Sequence, residues 1–278
     1  TAVPVATDRA ELKAADVLIL AVKTYDTAAA LEPLKGLDIG CAFSVQNGVQ
    51  KDDALVARWG SAHVAGAISM IGGEVTTRDF EAHDQPLEVR FDMAAPTLLG
   101  SLSEHDPALE PVVDALQNAG LVAEARDNIR SVEWSKFVGW SGVSALAVLT
   151  RLPTATFLSN PETALVAARV MRETAAVARA LGVHLDASGM ARAEVLHGSE
   201  SAAVTALLDQ GQRMRQDAPR FRQSILQDAD RGRPLEVDET LGYTLKEAER
   251  LQLATPTLYY CCRILRGISA AHRDSGST

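Results

Sequence analysis

Short apolar runs alternate with helical segments over the first part of the chain. Residues 16–22, 41–45 and 63–70 are almost continuously apolar, which is typical of parallel strands covered on both faces. Helical patterns follow the first two runs, at residues 27–34 and 51–59. This alternation of strands and helices predicts an α/β domain built on a parallel sheet.

The same domain is predicted to continue to about residue 125. Further strands are expected around residues 87–91 and 97–100, followed by a helix over residues 107–119. We therefore assign residues 1–125 to the α/β domain.

After residue 127 the pattern changes to long helices with almost no strand candidate. Asn160-Pro161-Glu162 is a helix start with proline at the first helical position, and Leu181-Gly182 is the matching end. Thr255-Pro256 repeats the start signal. Residues 126–278 are therefore predicted to form an all-helical domain. Further helical stretches are expected at residues 200–214 and 239–251.

Composition describes an ordinary globular protein and excludes several functions. The chain has 278 residues, of which 47% are hydrophobic and 23% charged, and its formal net charge is −9. An acidic balance argues against a nucleic-acid surface and against attraction to anionic membranes. No apolar run approaches the roughly 18 residues that a membrane-spanning helix needs.

Metal and disulfide chemistry are not indicated either. Cys41, Cys261 and Cys262 have no metal-ligand or redox spacing, and the six histidines are scattered. We expect no bound metal and a cytoplasmic location, where thiols stay reduced.

One lysine stands out because it interrupts the apolar stripe of a helix. Lys136 is a member of that stripe, and between Arg130 and Arg151 the only other charged residue is Glu133. Burial lowers the pKa of an ammonium, which makes Lys136 a candidate general acid near neutral pH. The alternative is that Lys136 reaches the surface or pairs with Glu133 one turn earlier. The stripe consists of Ile129, Val132, Lys136, Gly139, Val143 and Leu146.

Polar residues also follow two of the predicted strands. Lys23 comes directly after the first run, and Asn47-Gly48 comes just after the second. Ligands of open parallel sheets bind outside the carboxyl ends of the strands, so both positions are candidate contacts. The alternatives are a solvated loop lysine and an ordinary Asn-Gly turn.

A third candidate region lies in the helical domain. Ser224 and Asp228 are one helical turn apart, and Glu236 is expected at or just before a helix amino terminus. The helix dipole favours a carboxylate there for structural reasons alone, which is the alternative to a functional role.

These features occur in an order that resembles the ketopantoate reductase family, also called 2-dehydropantoate 2-reductases. The resemblance covers nearly the whole chain. It implies a Rossmann-type domain that binds NADPH, a helical domain that closes over it, and a small 2-keto acid substrate between them. The expected reaction is reduction of ketopantoate to pantoate, a step of pantothenate biosynthesis. The matching stretches are residues 15–26, 44–48, 134–137, 224–228 and 236–238.

The resemblance also implies roles for individual residues. Lys136 matches the catalytic lysine that protonates the ketone oxygen, and Glu236 matches a carboxylate that binds substrate and organises that lysine. Asn47 matches an asparagine beside nicotinamide and substrate. Ser224 matches a serine that contacts the substrate carboxylate, and Lys23 matches a cofactor-side lysine.

Two positions depart from the family pattern in the substrate pocket. Trp140 and Ser144 stand four and eight residues after Lys136, where the family usually has asparagines. An indole and a short hydroxyl cannot reproduce two amide contacts, and such losses change substrate selection strongly. A more apolar 2-keto acid, or another small carbonyl compound, is therefore an alternative substrate.

The glycine-rich fingerprint of dinucleotide-binding domains is the other departure. No G-x-G-x-x-G motif occurs in this chain, so it is expected to enter the fold partway through the cofactor domain. NADP is implied by the resemblance alone. A non-catalytic fragment or pseudoenzyme that acts as a binding module is the rival hypothesis, and a homodimer is a further expectation.

Overall fold

The computed structural model describes residues 8–75, 89–93, 95–103 and 109–275. These residues divide into two compact units. The first unit draws on the described residues within 8–22, 26–46 and 52–129. The second unit consists of residues 130–275 together with two short segments, Lys23–Tyr25 and Asn47–Lys51.

The first unit is built on a five-stranded sheet in the order β1-β2-β3-β6-β7, with β4 and β5 forming a separate antiparallel pair. Strands β1, β2 and β3 are mutually parallel, β6 and β7 are parallel to each other, and β3 and β6 are antiparallel. The strands are β1 (Ala14–Leu20), β2 (Asp38–Ser44), β3 (Val64–Ser69), β4 (Gly72–Val75), β5 (Val89–Met93), β6 (Thr97–Ser101) and β7 (Ala123–Ala125).

The predicted α/β class with a Rossmann-type parallel sheet is confirmed, and one pairing of the five-stranded sheet, β3 with β6, is antiparallel. A parallel neighbour for β3 would need a crossover connection, usually a helix. The described residues between β3 and β6 instead form β4 and β5, and β6 returns beside β3 in the opposite direction. Part of the predicted strand at residues 87–91 and part of the predicted helix at residues 107–119 lie outside the described residues.

Strand β2 shows why this sheet needs cover on both faces. Phe43 belongs to a buried cluster with Leu99 and Val112, whereas the adjacent Ala42 belongs to a second cluster with Leu31 and Leu55. Successive side chains of a strand point to opposite faces. Both faces are thus apolar and buried, as the continuous hydrophobic runs predict.

Helices make up most of the second unit, which confirms the predicted change of class after residue 127. Asn160 accepts a hydrogen bond from the backbone N–H of Glu162 at 2.9 Å, as its predicted capping role requires. The α-helices are α1 (Thr27–Leu31), α2 (Asp53–Trp59), α3 (Leu109–Asn118), α4 (Ile129–Thr150), α5 (Thr154–Leu158), α6 (Pro161–Ala180), α7 (Ala193–His197), α8 (Glu200–Asp217), α9 (Ser224–Asp230), α10 (Leu241–Arg250) and α11 (Pro256–Ser275). Short 3-10 helices occupy Arg9–Glu11, Thr24–Asp26, Glu32–Leu34 and Ser61–His63.

Helices α4 and α6 approach closely because small residues face each other. A Cβ atom at Gly142 of α4 would lie 2.7 Å from both the backbone oxygen of Ala167 and the Cγ of Met171. The glycine therefore permits backbone contact between the two helices at the centre of the second unit. Within the described residues, no helix is long and apolar enough to cross a membrane.

This packing predicts that two Gly→Ala substitutions change the free energy of unfolding in opposite directions. We expect Gly142→Ala to lower the free energy of unfolding by about 1 to 2 kcal/mol, because overpacking outweighs the gain in helix propensity. Gly267→Ala in the exposed part of α11 meets no atom within 4 Å. It should raise the stability by up to about 1 kcal/mol. Urea denaturation followed by circular dichroism measures both, and a stabilised Gly142→Ala variant would refute the packing argument.

Candidate active site

Helix α4 holds Lys136 in a fixed orientation within the second unit. Ser131 Oγ donates to the backbone oxygen of His184 at 2.7 Å, and Ser135 Oγ accepts from the backbone N–H of Asp186 at 2.9 Å. A Cβ at Gly139 would lie 2.8 Å from the Cβ of Met190. These contacts pin the helix along one side, so the stripe that carries Lys136 is fixed as well.

Lys136 itself is partly buried, and its environment disfavours the ammonium form. Burial, and then the positive charge of Lys51, lower the pKa of Lys136 to about 8, while the carboxylate of Glu133 opposes the change. A lysine with such a pKa exchanges its proton near neutral pH. This is the property that the apolar stripe of the sequence indicates for Lys136.

An ion pair between Lys51 and Glu133 lies beside Lys136. Lys51 Nζ is 2.5 Å from Glu133 Oε1, and the two side chains are only 1% and 4% exposed. Glu133 is on α4 one turn before Lys136, whereas Lys51 belongs to the short segment Asn47–Lys51. The pair therefore fastens that segment to the helix that carries Lys136.

A second ionic cluster joins Lys23 to two carboxylates. Lys23 Nζ donates to Asp228 Oδ2 at 2.5 Å and to Glu236 Oε2 at 3.5 Å, and the backbone N–H of Thr24 donates to Glu236 Oε1 at 2.9 Å. Burial by itself would lower the pKa of Lys23, but Glu236 and then Asp228 outweigh it and raise the pKa above its ordinary value. Lys23 is therefore a fixed positive charge, in contrast to Lys136.

Asn47 lies in a segment that packs on the residues following Glu236. Gly48 has a φ of +104°, which only glycine adopts readily, and a Cβ there would lie 3.4 Å from the backbone oxygen of Glu239. Gln50 Nε2 donates to the same oxygen at 3.1 Å. Asn47 is partly exposed, so its amide is available to a ligand.

The backbone around Glu236 is a turn rather than a helix end. Helix α10 begins at Leu241, five residues later, and the Thr240 hydroxyl donates to the backbone oxygen of Glu236. The predicted position at a helix amino terminus is wrong, because residues 237–240 form turns before the helix begins. Glu236 is held by Lys23 and Thr24 instead of by a helix dipole.

Aromatic side chains line the helix next to Lys136. Phe137 stacks on Trp140 with ring centres 5.8 Å apart and planes at 20°, and it meets Trp134 edge to face at 5.9 Å. Trp134 in turn lies 6.4 Å from the ring of Tyr243. Trp140 is partly exposed, so the stack presents apolar ring surface on the same helix face as Lys136.

Two buried hydroxyls have no hydrogen-bond partner among the described residues. They are Thr24 Oγ1 and Ser144 Oγ. Ser144 is fully buried, so the predicted contact with substrate stays a prediction. Unpartnered buried hydroxyls are rare, and each calls for an explanation such as a bound ligand.

Ser224 is exposed at the first turn of α9, four residues before the buried Asp228. Sequence reasoning paired Ser224 with Asp228 and missed the contact of Asp228 with Lys23. Lys51 and Thr24 were also missed, although Lys51 lies four residues after Asn47 and Thr24 directly follows Lys23. In the described part of the chain, no cluster of three or more histidine, cysteine or acidic side chains has a metal-binding arrangement.

The fold and site define a two-unit α/β protein: a Rossmann-type sheet unit is followed by a helical unit that carries a lysine of lowered pKa. The family model described as "Ketopantoate reductase PanE/ApbA" matches residues 1–103, and the model "Ketopantoate reductase PanE/ApbA C terminal" matches residues 128–269. The chain therefore belongs to the ketopantoate reductase family. The enzyme for which this family is named is an oxidoreductase.

Individual proteins are similar to this chain in sequence or in fold. A 2-dehydropantoate 2-reductase from Archaeoglobus fulgidus is 26% identical over 257 residues, which cover 92% of this chain and 77% of the relative. A PanE/ApbA family ketopantoate reductase structure from Ralstonia eutropha JMP134 is 24% identical with a TM-score of 0.76, covering 96% of this chain and 80% of that one. A D-mandelate dehydrogenase solved with NADH and anilino(oxo)acetate is 16% identical with a TM-score of 0.77, covering 95% and 80%.

The lowered pKa of Lys136 has a consequence for stability. Between pH 8 and 10.5 the unfolded chain holds a proton on Lys136 that the folded chain has released, so this residue opposes folding below that range. We expect Lys136→Met to raise the free energy of unfolding at pH 7 by roughly 2 to 3 kcal/mol, with the difference vanishing above about pH 10.5.

Urea denaturation at a series of pH values measures this difference between wild type and variant. Lys246→Met on the exposed side of α10 is the matched control, with an expected change below about 0.5 kcal/mol. A Lys136→Met variant that is less stable than wild type at pH 7 would contradict the account of Lys136.

Proposed function

We propose that the chain reduces a small 2-keto acid with a nicotinamide cofactor, and that Lys136 is the general acid. The observation that carries the proposal is a partly buried lysine with a pKa of about 8 in a member of the ketopantoate reductase family. Reduction of a ketone needs a proton at the oxygen, and a positioned ammonium both stabilises the developing negative charge and supplies that proton.

The proton transfer follows from the environment of Lys136. As the carbonyl carbon becomes tetrahedral, negative charge develops on oxygen, and the Lys136 ammonium donates its proton to give the 2-hydroxy acid. The lysine is then a neutral amine, which its partly buried position tolerates. It regains a proton from solvent before the next turnover. In the reverse direction the neutral amine accepts the proton of the hydroxyl group.

Other residues are proposed to bind and orient the reactants. Glu236 is the substrate-binding carboxylate, and its bonds to Lys23 and Thr24 hold it in one orientation. Ser224 is proposed to contact the substrate carboxylate.

The donor set at Lys23, Thr24 and Asn47 fits the nicotinamide end of a cofactor. Thr24 Oγ1 is buried without a described partner, so it is suited to a polar group of a bound molecule. Lys23 and Asn47 are the proposed cofactor contacts. When bound, NADPH would supply the hydride. The preference for NADP over NAD is also part of the proposal. It rests on the family resemblance alone, because no glycine-rich fingerprint occurs in this chain.

Ketopantoate is the first substrate candidate, because relatives across the chain are named 2-dehydropantoate 2-reductases. One observation favours a second candidate, an aromatic or other apolar 2-keto acid. Trp140 stands where the family usually has an asparagine, and its stack on Phe137 offers ring surface rather than an amide. Aromatic rings pack favourably on such a surface. The D-mandelate dehydrogenase of similar fold was solved with an aromatic oxo acid.

Oxidation of NADPH by the purified protein, followed at 340 nm, tests the proposal. We expect turnover of ketopantoate or of an apolar acid such as phenylglyoxylate, and a loss of about 10²- to 10⁴-fold in kcat for Lys136→Ala. Trp140→Asn should shift the ratio of kcat/KM values toward ketopantoate by about tenfold or more.

Three outcomes are informative. Equal activity of wild type and Lys136→Ala would remove Lys136 from the chemistry. An unchanged substrate ratio in Trp140→Asn would remove Trp140 from substrate selection. No turnover of any keto acid, together with no NADPH binding by calorimetry, would favour the non-catalytic binding module.

A further inference from the structure

The ion pair of Lys51 and Glu133 is costly for the second unit to maintain. Both side chains are almost fully buried, and Lys51 Nζ lies 2.5 Å from Glu133 Oε1. Removing two charges from water costs several kcal/mol per ion, and the attraction between them often does no more than offset this. A pair of apolar side chains would hold the same segment to α4 at least as well. The charges therefore call for a reason beyond packing.

The position of Glu133 gives that reason. Glu133 and Lys136 are three residues apart on α4, a spacing at which a carboxylate and an ammonium pair readily. Between Arg130 and Arg151 no other carboxylate occurs, so Glu133 is the helix's own counter-charge for Lys136. A carboxylate that held Lys136 tightly would stabilise the ammonium and oppose proton donation.

Lys51 changes this balance by adding a second cation. Lys51 disfavours the ammonium form of Lys136, whereas Glu133 favours it. Lys51 comes from the segment Asn47–Lys51 and meets Glu133 directly. Two lysines thus share one carboxylate, and the bond from Lys51 competes with the attraction between Glu133 and Lys136.

We propose that Lys51 is a positioning residue for Lys136: by bonding to Glu133 it keeps this carboxylate from holding the Lys136 proton, which stays available for transfer. The same bond holds the segment with Asn47 against the helix with Lys136, so one contact sets both the position and the proton affinity of the site. This inference rests on the proposed role of Lys136 as the general acid.

The protonation of Lys136 can be measured directly, without cofactor or substrate. The chain has six lysines, so protein labelled with ¹⁵N at the lysine Nζ gives at most six side-chain signals. Loss of one signal in Lys136→Ala assigns Lys136. Titration of the free protein then reports the pKa of Lys136 whether or not the chain reduces any keto acid, so failure of the inference and failure of the proposed function are distinguishable.

Lys51→Gln is the decisive variant, because its amide still donates to Glu133 but carries no charge. We expect the titration midpoint of Lys136 to rise by about one pH unit or more, since Glu133 is no longer neutralised by Lys51 and the positive charge of Lys51 is gone. Lys51→Arg keeps the charge and should leave the midpoint within about half a pH unit of wild type. An unchanged midpoint in Lys51→Gln would overturn the proposal.

Kinetics provide a second readout that a purely structural role would not move. In Lys51→Gln the pH above which kcat/KM falls should move upward together with the titration midpoint, and Lys51→Arg should restore the wild-type profile. A lower kcat with an unmoved profile would mean that Lys51 only supports the fold, and would contradict the proposal.

If Lys51→Gln does not fold, variants that lack the Glu133 carboxylate still test the proposal. Glu133→Gln is compared with the double variant that also carries Lys51→Gln, which leaves no buried charge of this pair behind. Lys51 also repels Lys136 directly, but if its main action runs through Glu133, the two midpoints of Lys136 should agree within about half a pH unit. A rise of about one unit in the double variant would show that direct repulsion accounts for the effect, and would overturn the proposal.

Discussion

The balance between burial and neighbouring charges at two partly buried lysines is the constraint on which this site depends. Lys23 has two carboxylate partners, Asp228 and Glu236, and its pKa is raised although burial acts in the opposite direction. At Lys136, burial and then the positive charge of Lys51 lower the pKa to about 8, although Glu133 acts in the opposite direction. The same chemical group is thus a permanent charge at one position and a proton donor at the other.

Two short segments that carry part of this charge pattern belong to the compact helical unit. Lys23–Tyr25 follows β1 along the chain and Asn47–Lys51 follows β2. Both segments come shortly after apolar strands in the sequence, and they contribute Lys23, Asn47 and Lys51 to the second unit.

Local signals in the sequence predicted much of this structure. The apolar runs predicted β1, β2 and β3, and the capping residue Asn160 marked the start of α6. The helical spacing around Lys136 correctly indicated a partly buried cation. Each of these features depends on neighbours within a few residues, which is why a single sequence reveals them.

Features that depend on residues far apart in the sequence could not be predicted from these local signals. The direction of β6 depends on the path of the chain after β3, and β7 has only three residues. Lys51 and Glu133 are 82 residues apart, and Lys23 and Asp228 are 205 apart. No periodicity links such positions. The site's candidate residues were predicted individually, whereas the two ion-pair clusters emerged only from the folded chain.

The pH dependence of the reaction in both directions tests the central claim most directly. If Lys136 donates the proton, kcat/KM for keto acid reduction should fall about tenfold per pH unit above about pH 8, because the lysine must start protonated. Oxidation of the hydroxy acid should show the opposite trend and rise to a plateau across the same pH range. Values of kcat/KM that stay constant between pH 6.5 and 9.5 would contradict the assignment of Lys136 as the acid. A fall in kcat/KM near pH 8 that persists in Lys136→Ala would contradict it as well.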